Sequence, residues 1–145
     1  MLQPRALLLL LILIPGCKSS STELEVTGTV SLDSKPLANA VVRFIPIEGT
    51  MGLGGFGTTD ASGKFTIKSS RENEKGQAPG QYKVVISRRL RPDGSEPEPN
   101  KPPIESDARE TLPAIYSSDS ATTLTAAVSA EKKAFEFELT ATAKK

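Results

Sequence analysis

The sequence predicts an all-β fold, a single antiparallel β-sandwich of about seven short strands. Apolar and polar residues alternate with period two in short runs between residues 24 and 140, the signature of strands with one face on a core and one in water. Clusters of Gly, Pro, Asp and Ser punctuate these runs, and the same stretch carries no convincing amphipathic helix. Size sets a third bound: the 145 residues, less a 16-residue leader, suit one domain with one core.

Leu24, Val26, Gly28, Val30 and Leu32 alternate with Glu25, Thr27, Thr29 and Ser31, which makes a half-buried first strand. Gly28 within it suggests a bulge or a close approach of another segment. Asp33-Ser34-Lys35-Pro36 supplies turn chemistry before a second strand, in which Ala40, Val42 and Phe44 oppose Val41, Arg43 and Ile45 and which Pro46 is expected to end. Residues 56–59 and 64–68 flank Asp60-Ala61-Ser62-Gly63 as a hairpin. Pro79-Gly80 turns the chain into residues 81–87, where Tyr82, Val84 and Ile86 face one way and Lys83, Val85 and Ser87 the other. Prolines at 92, 97, 99, 102, 103 and 113 then mark residues 91–113 as a long loop or locally disordered excursion. Thr122, Leu124, Ala126 and Val128 resume the alternation. Ala130-Glu131-Lys132-Lys133 turns into a last strand with Phe135, Phe137 and Leu139 on one face and Glu136 and Glu138 on the other, and a terminal hairpin is expected.

The chain opens with Arg5 and an apolar run of about nine residues, a length that fits a signal-peptide core and falls short of the roughly 17–25 residues of a membrane-spanning helix. The run ends in Ile14-Pro15-Gly16-Cys17, which resembles the bacterial lipobox: cleavage before Cys17, the chain's one cysteine, would leave it diacylated on sulfur as the mature N-terminus. Each acyl chain contributes on the order of 0.8 kcal/mol per buried methylene, so two or three chains hold stably where one does not. Lys18-Ser19-Ser20-Ser21-Thr22 reads as a flexible leash. By resemblance to lipoprotein sorting in enteric bacteria, Lys18 in place of Asp favours an outer membrane, with the domain in the periplasm or at the cell surface. With Cys17 acylated no intramolecular disulfide can form, and the core alone must hold the fold. A net charge of +1, from 18 basic and 17 acidic side chains, gives no global field for nucleic acid.

Four blocks carry a family resemblance. Val26-Thr27-Gly28-Thr29-Val30, the stretch from Asp33-Ser34-Lys35-Pro36 to Phe44, Thr59-Asp60-Ala61-Ser62-Gly63-Lys64-Phe65, and Ala78-Pro79-Gly80-Gln81-Tyr82-Lys83-Val84 together resemble the carboxypeptidase regulatory-like domain. Leu112-Pro113-Ala114-Ile115-Tyr116 and the C-terminal strands further resemble small bacterial lipoproteins that carry it. The resemblance implies a transthyretin-like, prealbumin-like sandwich and specifies no chemistry. Catalytic relatives on this fold, hydroxyisourate hydrolases and ring-cleaving dioxygenases, depend on histidines, and this chain has none.

The absence of histidine also removes the usual general base, the Ser-His-Asp triad and most zinc sites. No Ser-x-x-Lys motif or paired-carboxylate signature stands out, so no catalytic residue, cofactor site or metal site is assigned. Gly52-Leu53-Gly54-Gly55-Phe56-Gly57 matches a dinucleotide fingerprint in letters, but its flanks do not read as a strand before and a helix after. Asp33, Asp60 and Ser62 offer oxygens yet lack the six to eight ligands calcium takes, and read as turn residues. Arg88-Arg89-Leu90-Arg91 is the one basic cluster, and Glu96, Glu98, Glu105 and Asp107 follow to neutralise it. Tyr82, Tyr116 and Phe56 are the aromatics available for stacking on a sugar.

The layout expected is a lipoprotein signal peptide at 1–16, a lipidated leash at 17–22, the sandwich at 23–140 with its excursion at 91–113, and a tail at 141–145. The function expected is that of a non-enzymatic, lipid-anchored interaction or structural module of a bacterial envelope. Its partners would be the membrane, through acylated Cys17, and an envelope protein or glycan. The alternative is an accessory lipoprotein that captures a glycan or peptide for uptake or degradation.

Overall fold

The computed structural model describes residues 23–71, 76–102 and 104–142. The first alternating run folds as β1 (Val26–Leu32) and reverses through Asp33 and Ser34 into the two-residue β2 (Lys35–Pro36). Both turn residues have positive φ, 50° and 66°, as a primed two-residue turn requires to match the twist of its strands. The chain continues as β3 (Val41–Ile47), β4 (Gly55–Thr58), β5 (Lys64–Ser69) and β6 (Gly80–Ser87). It then makes a small outlying ladder, β7 (Arg89–Leu90) with β8 (Arg109–Glu110), and one helical turn, α1 (Ala114–Ser117). The last strands are β9 (Thr125–Val128) and β10 (Ala134–Leu139).

Seven strands lie along one curled path, in the order β10-β1-β5-β4-β3-β6-β9. The curl folds the two halves of that path face to face. Phe44 of β3 shows it: its ring meets Phe65 of β5 and Tyr82 of β6, and also Phe135 and Phe137 of β10, with centroids 5.7–6.5 Å apart. Around this aromatic cluster pack Val26, Val30, Val42, Ile67, Val84, Ile86, Val128 and Leu139. The fold is thus the all-β sandwich the alternation predicts, with Tyr82, Val84 and Ile86 inward as expected. Gly28 marks a close approach and not a bulge, because its register with β5 and β10 is unbroken. A Cβ there would lie 2.2 Å from the Phe135 carbonyl oxygen and 2.6 Å from the Phe65 ring.

Two expectations are corrected. The terminal hairpin does not form: β9 pairs with β6, while β10 runs parallel to β1 from Thr27↔Ala134 to Leu32↔Leu139. The turn between them is real, with Ser129 and Lys132 exchanging backbone hydrogen bonds of 3.0 and 3.2 Å. It carries the chain from one half of the sandwich to the other, so that Val128 and Phe135 bury into one core from opposite sheet edges.

Pro46 does not end its strand, for β3 continues to Ile47 with Pro46 opposite Tyr82. Val84 turns its N–H to Leu124 O (2.9 Å) and its carbonyl to Thr122 Oγ1 (2.8 Å), both toward β9. Tyr82, two residues along, presents its polar groups on the same side, so the nitrogen of Pro46 points to the other edge of β3, where β4 has already stopped at Gly55↔Phe44. No ladder donor is lost, the circumstance in which a strand tolerates proline.

Between β7 and β8 the described residues of the Pro-rich excursion form no strand or helix, as expected of a long loop, but its ends are tied. It is closed at its base by β7 and β8, and Ala108 and Leu112 are buried.

Candidate functional site

Among the clefts on the described residues, one lies at each end of β6 and a third, of about 350 Å³, opens over β1, β5 and β10 beside Gly28 and Phe135. The first forms where the chain leaves β6 at Ser87 and returns through β8. Glu110 fastens this crossing: its Oε2 accepts the Ser87 hydroxyl at 2.6 Å, and its Oε1 accepts the N–H groups of Arg88, Thr111 and Leu112 at 3.0, 3.0 and 2.9 Å. Arg89 donates to Ala108 O at 2.6 Å, and Arg91 bridges Asp107 at 3.3 Å and Glu98 at 3.7 Å. Asn39, at the far side, hydrogen-bonds Glu96. Between the excursion and the sheet edge lies a cleft of about 280 Å³, with Val41, Ser87, Arg89, Asn39, Glu96 and Lys101 among its walls.

Mixed charge, amide and hydroxyl groups over an apolar floor suit hydrogen bonding to a polar ligand. Ser87 has a carboxylate beside it, but that carboxylate already receives four donors and serves as an anchor; such an arrangement lacks the free basic atom that activates a nucleophile. At the excursion's first turn the Ser95 hydroxyl (2.6 Å) and then the Ser95 N–H (2.9 Å) hold the Asp93 carboxyl below its ordinary 3.8.

The second cleft, about 460 Å³, lies at the opposite end of β6, with Glu23, Met51, Leu53, Arg71 and Gln77 in its walls. Leu24 and Gln77 exchange backbone hydrogen bonds of 2.8 Å in each direction, and Gln77 is buried there with its side-chain amide on Gly76 O. Met51 and Leu53 stand 75% and 61% exposed on the loop between β3 and β4.

The residues singled out in the sequence scatter. Cys17, Ile14, Pro15 and Gly16 lie outside the described residues. Tyr82 is buried with its hydroxyl on Ala78 O (2.7 Å), Tyr116 reaches Thr140 beyond β10, and Phe56 stands half exposed on the outer face of β4 between Arg43 and Lys68. These three aromatics do not converge on one stacking platform. The Gly52–Gly57 run divides between a loop and β4, with no helix after it. Asp60 accepts from the N–H groups of Ser62 and Lys64, and Asp33 from that of Ala141, all as turn and strand-end ties. Among the described residues no group of three or more acids or thiols is placed to hold a metal. Of the acids expected to neutralise the basic cluster, Glu98 and Asp107 meet Arg91, whereas Glu96 meets Asn39.

Glu110 and Gln77 organise the two clefts at the ends of β6 and went unnoticed in the sequence. Neither belongs to an alternating run, and the partners of Glu110 at 87 and 88 are 23 and 22 residues away, so no local spacing betrays it.

Comparison of the chain with protein-family models, with curated proteins and with solved structures finds no match.

Proposed function

We propose that this is a lipid-anchored protein of a bacterial cell envelope whose sandwich acts as a non-enzymatic interaction or structural module. The observation that carries the reading is Ile14-Pro15-Gly16-Cys17 at the end of a short apolar run, followed by a five-residue polar leash and an all-β domain. The anchor multiplies the local concentration of even a weak binder near membrane partners, so a conspicuous pocket is not required. The four blocks from Val26 to Val84 support placing the domain with the carboxypeptidase regulatory-like, transthyretin-like sandwiches. Lys18 favours an outer-membrane address.

Mass spectrometry of the membrane fraction tests the anchor: the N-terminal peptide should begin at acylated Cys17, and Cys17→Ser should abolish partitioning into detergent. An unmodified Cys17 in native, membrane-extracted protein refutes it. Cross-linking in whole cells should then capture an envelope partner with the native protein and less of it with the Cys17→Ser form.

The second reading, an accessory lipoprotein that captures a glycan or peptide, is favoured by one feature. The cleft beneath the excursion gathers amide, hydroxyl and charged groups of both signs, from Asn39, Ser87, Arg89, Glu96 and Lys101, around about 280 Å³, the mixed polar lining that orients a glycan or peptide. Glycan or peptide panels that raise the melting temperature of the native protein but not of an Asn39→Ala/Lys101→Ala variant would establish it.

A further inference from the structure

We propose that the end of the sandwich where the leash enters sits directly on the lipid surface, with Met51 and Leu53 inserted among the headgroups. The inference rests on the anchored reading above and adds to it an orientation and a contact.

Three observations converge on this end. The first is where the chain outside the described fold joins it. Glu23 forms part of the same cleft wall as Met51 and Leu53. From Cys17 to Glu23, six residues on, the leash reaches at most about 20 Å even fully extended. The eight-residue β6 is itself about 25 Å long. A domain held so closely cannot present its far end to the bilayer without lying flat.

The second is the apolar tip. Among the described residues the large hydrophobic side chains left exposed are Val41, Met51, Leu53, Phe56 and Ile104, and two of the five stand two residues apart on this loop. Flexible Met and Leu side chains at a loop tip suit insertion into the fluid boundary between headgroups and acyl chains.

The third is that the tip is held out by its base and cannot fold back onto the core. Ile47-Glu48-Gly49-Thr50 makes a turn with φ of 55° and 77° at its centre, closed by Thr50 N–H on Ile47 O at 3.0 Å. Thr50 Oγ1 then accepts the Gln81 N–H at 2.8 Å and donates to Gln81 O at 3.0 Å. Gly80 makes room for this clamp, since a Cβ there would come 2.4 Å from Thr50 Oγ1. On the return side, Ser70 N–H donates to Gly54 O at 3.0 Å. Met51, Gly52 and Leu53 therefore project from two fixed points.

The contact is apolar and not electrostatic. Glu23 and Arg71, of opposite charge, both line the cleft beside the tip, and the whole chain carries a net +1.

The chain contains no tryptophan, so a single introduced indole reports its own surroundings. Full-length Leu53→Trp and Ile104→Trp proteins, extracted from membranes, are reconstituted into phosphatidylcholine vesicles containing brominated lipid, and Cys17 is read by mass in the same preparations. Ile104 is 93% exposed in the excursion, beyond the opposite end of β6, and serves as the distal reference. With Cys17 acylated, Leu53→Trp emission should shift to the blue and lose roughly half its intensity or more, as for a side chain 5–10 Å into the interface, while Ile104→Trp stays unshifted. Adding anionic lipid should change neither. Met51→Trp should repeat the Leu53→Trp result should that variant fold poorly. With acylated Cys17, equal quenching at both reporters, quenching at neither, or quenching at position 53 that requires anionic lipid each overturns the insertion and leaves the anchor standing. An unmodified Cys17 removes the anchor and the inference together.

Discussion

Phe44→Ala should cost more than any other single truncation in the sandwich. The ring is 1% exposed and touches four others, Tyr82 from its own half and Phe65, Phe135 and Phe137 from the facing half. Truncating a buried Phe costs about 3–5 kcal/mol, and well-set aromatic pairs each contribute about 0.5–1.5 kcal/mol beyond the area they bury. Four pairs lost at once place Phe44 at or above the top of that range, about 5 kcal/mol, in a domain whose total stability is about 5–15 kcal/mol. Phe56 is the internal control: it has the same chemistry and lies opposite Arg43 on the neighbouring strand, but is 51% exposed, and its truncation should cost less than about 1 kcal/mol. With roughly 4 °C per kcal/mol for a domain of this size, the melting temperatures of the two variants should fall by about 20 °C and by under about 4 °C. Urea unfolding followed by far-ultraviolet circular dichroism reads both, and an unchanged slope with urea shows that the unfolded reference has not moved. Losses of similar size in the two variants would mean that the halves do not close on Phe44.

The parallel closure is tested in a Cys17→Ser background. Thr29→Cys/Glu136→Cys, registered neighbours on β1 and β10, should oxidise to a disulfide, whereas Ala127→Cys/Glu136→Cys, the pair a terminal hairpin would bring together, should stay reduced. Glu110→Ala should release the base of the excursion, with hydrogen-exchange protection of the Arg88 and Leu112 amides falling on the order of tenfold while Val84 is unchanged. Asp93 should titrate below 3.8 by NMR, and Ser95→Ala should raise it. Its folded-state value is the depressed one, so the small stabilisation it gives is complete above the ordinary aspartate range and lost as pH falls through the folded value.

What the sequence made legible was whatever rests on period two. The alternations from Leu24 to Leu32, Ala40 to Phe44 and Phe135 to Leu139 each put the expected side chains inward, because a strand's facing is decided by its own residues. Partner choice is not decided locally. Ala130-Glu131-Lys132-Lys133 does turn the chain, as its composition says, yet whether the flanking strands pair or part depends on the free edge that β1 offers 107 residues earlier. Pro46 was misplaced for a related reason: the cost of proline depends on which edge its nitrogen faces, and that follows from the pairing of Tyr82 and Val84. The alternating residues announced neither cleft at the ends of β6. Glu110 draws its donors from Ser87 and Arg88 as well as from its own neighbours, and only the crossing of two distant segments assembles that anchor.

The pairing of β1 with β10 also governs when this chain is able to fold. During synthesis, residues 27–32 wait with one edge unsatisfied, and Phe44 waits without the rings of Phe135 and Phe137, until residues 134–139 have been made. Contacts of such long sequence separation form slowly. The sandwich closes only once β10 has found β1, 107 residues before it.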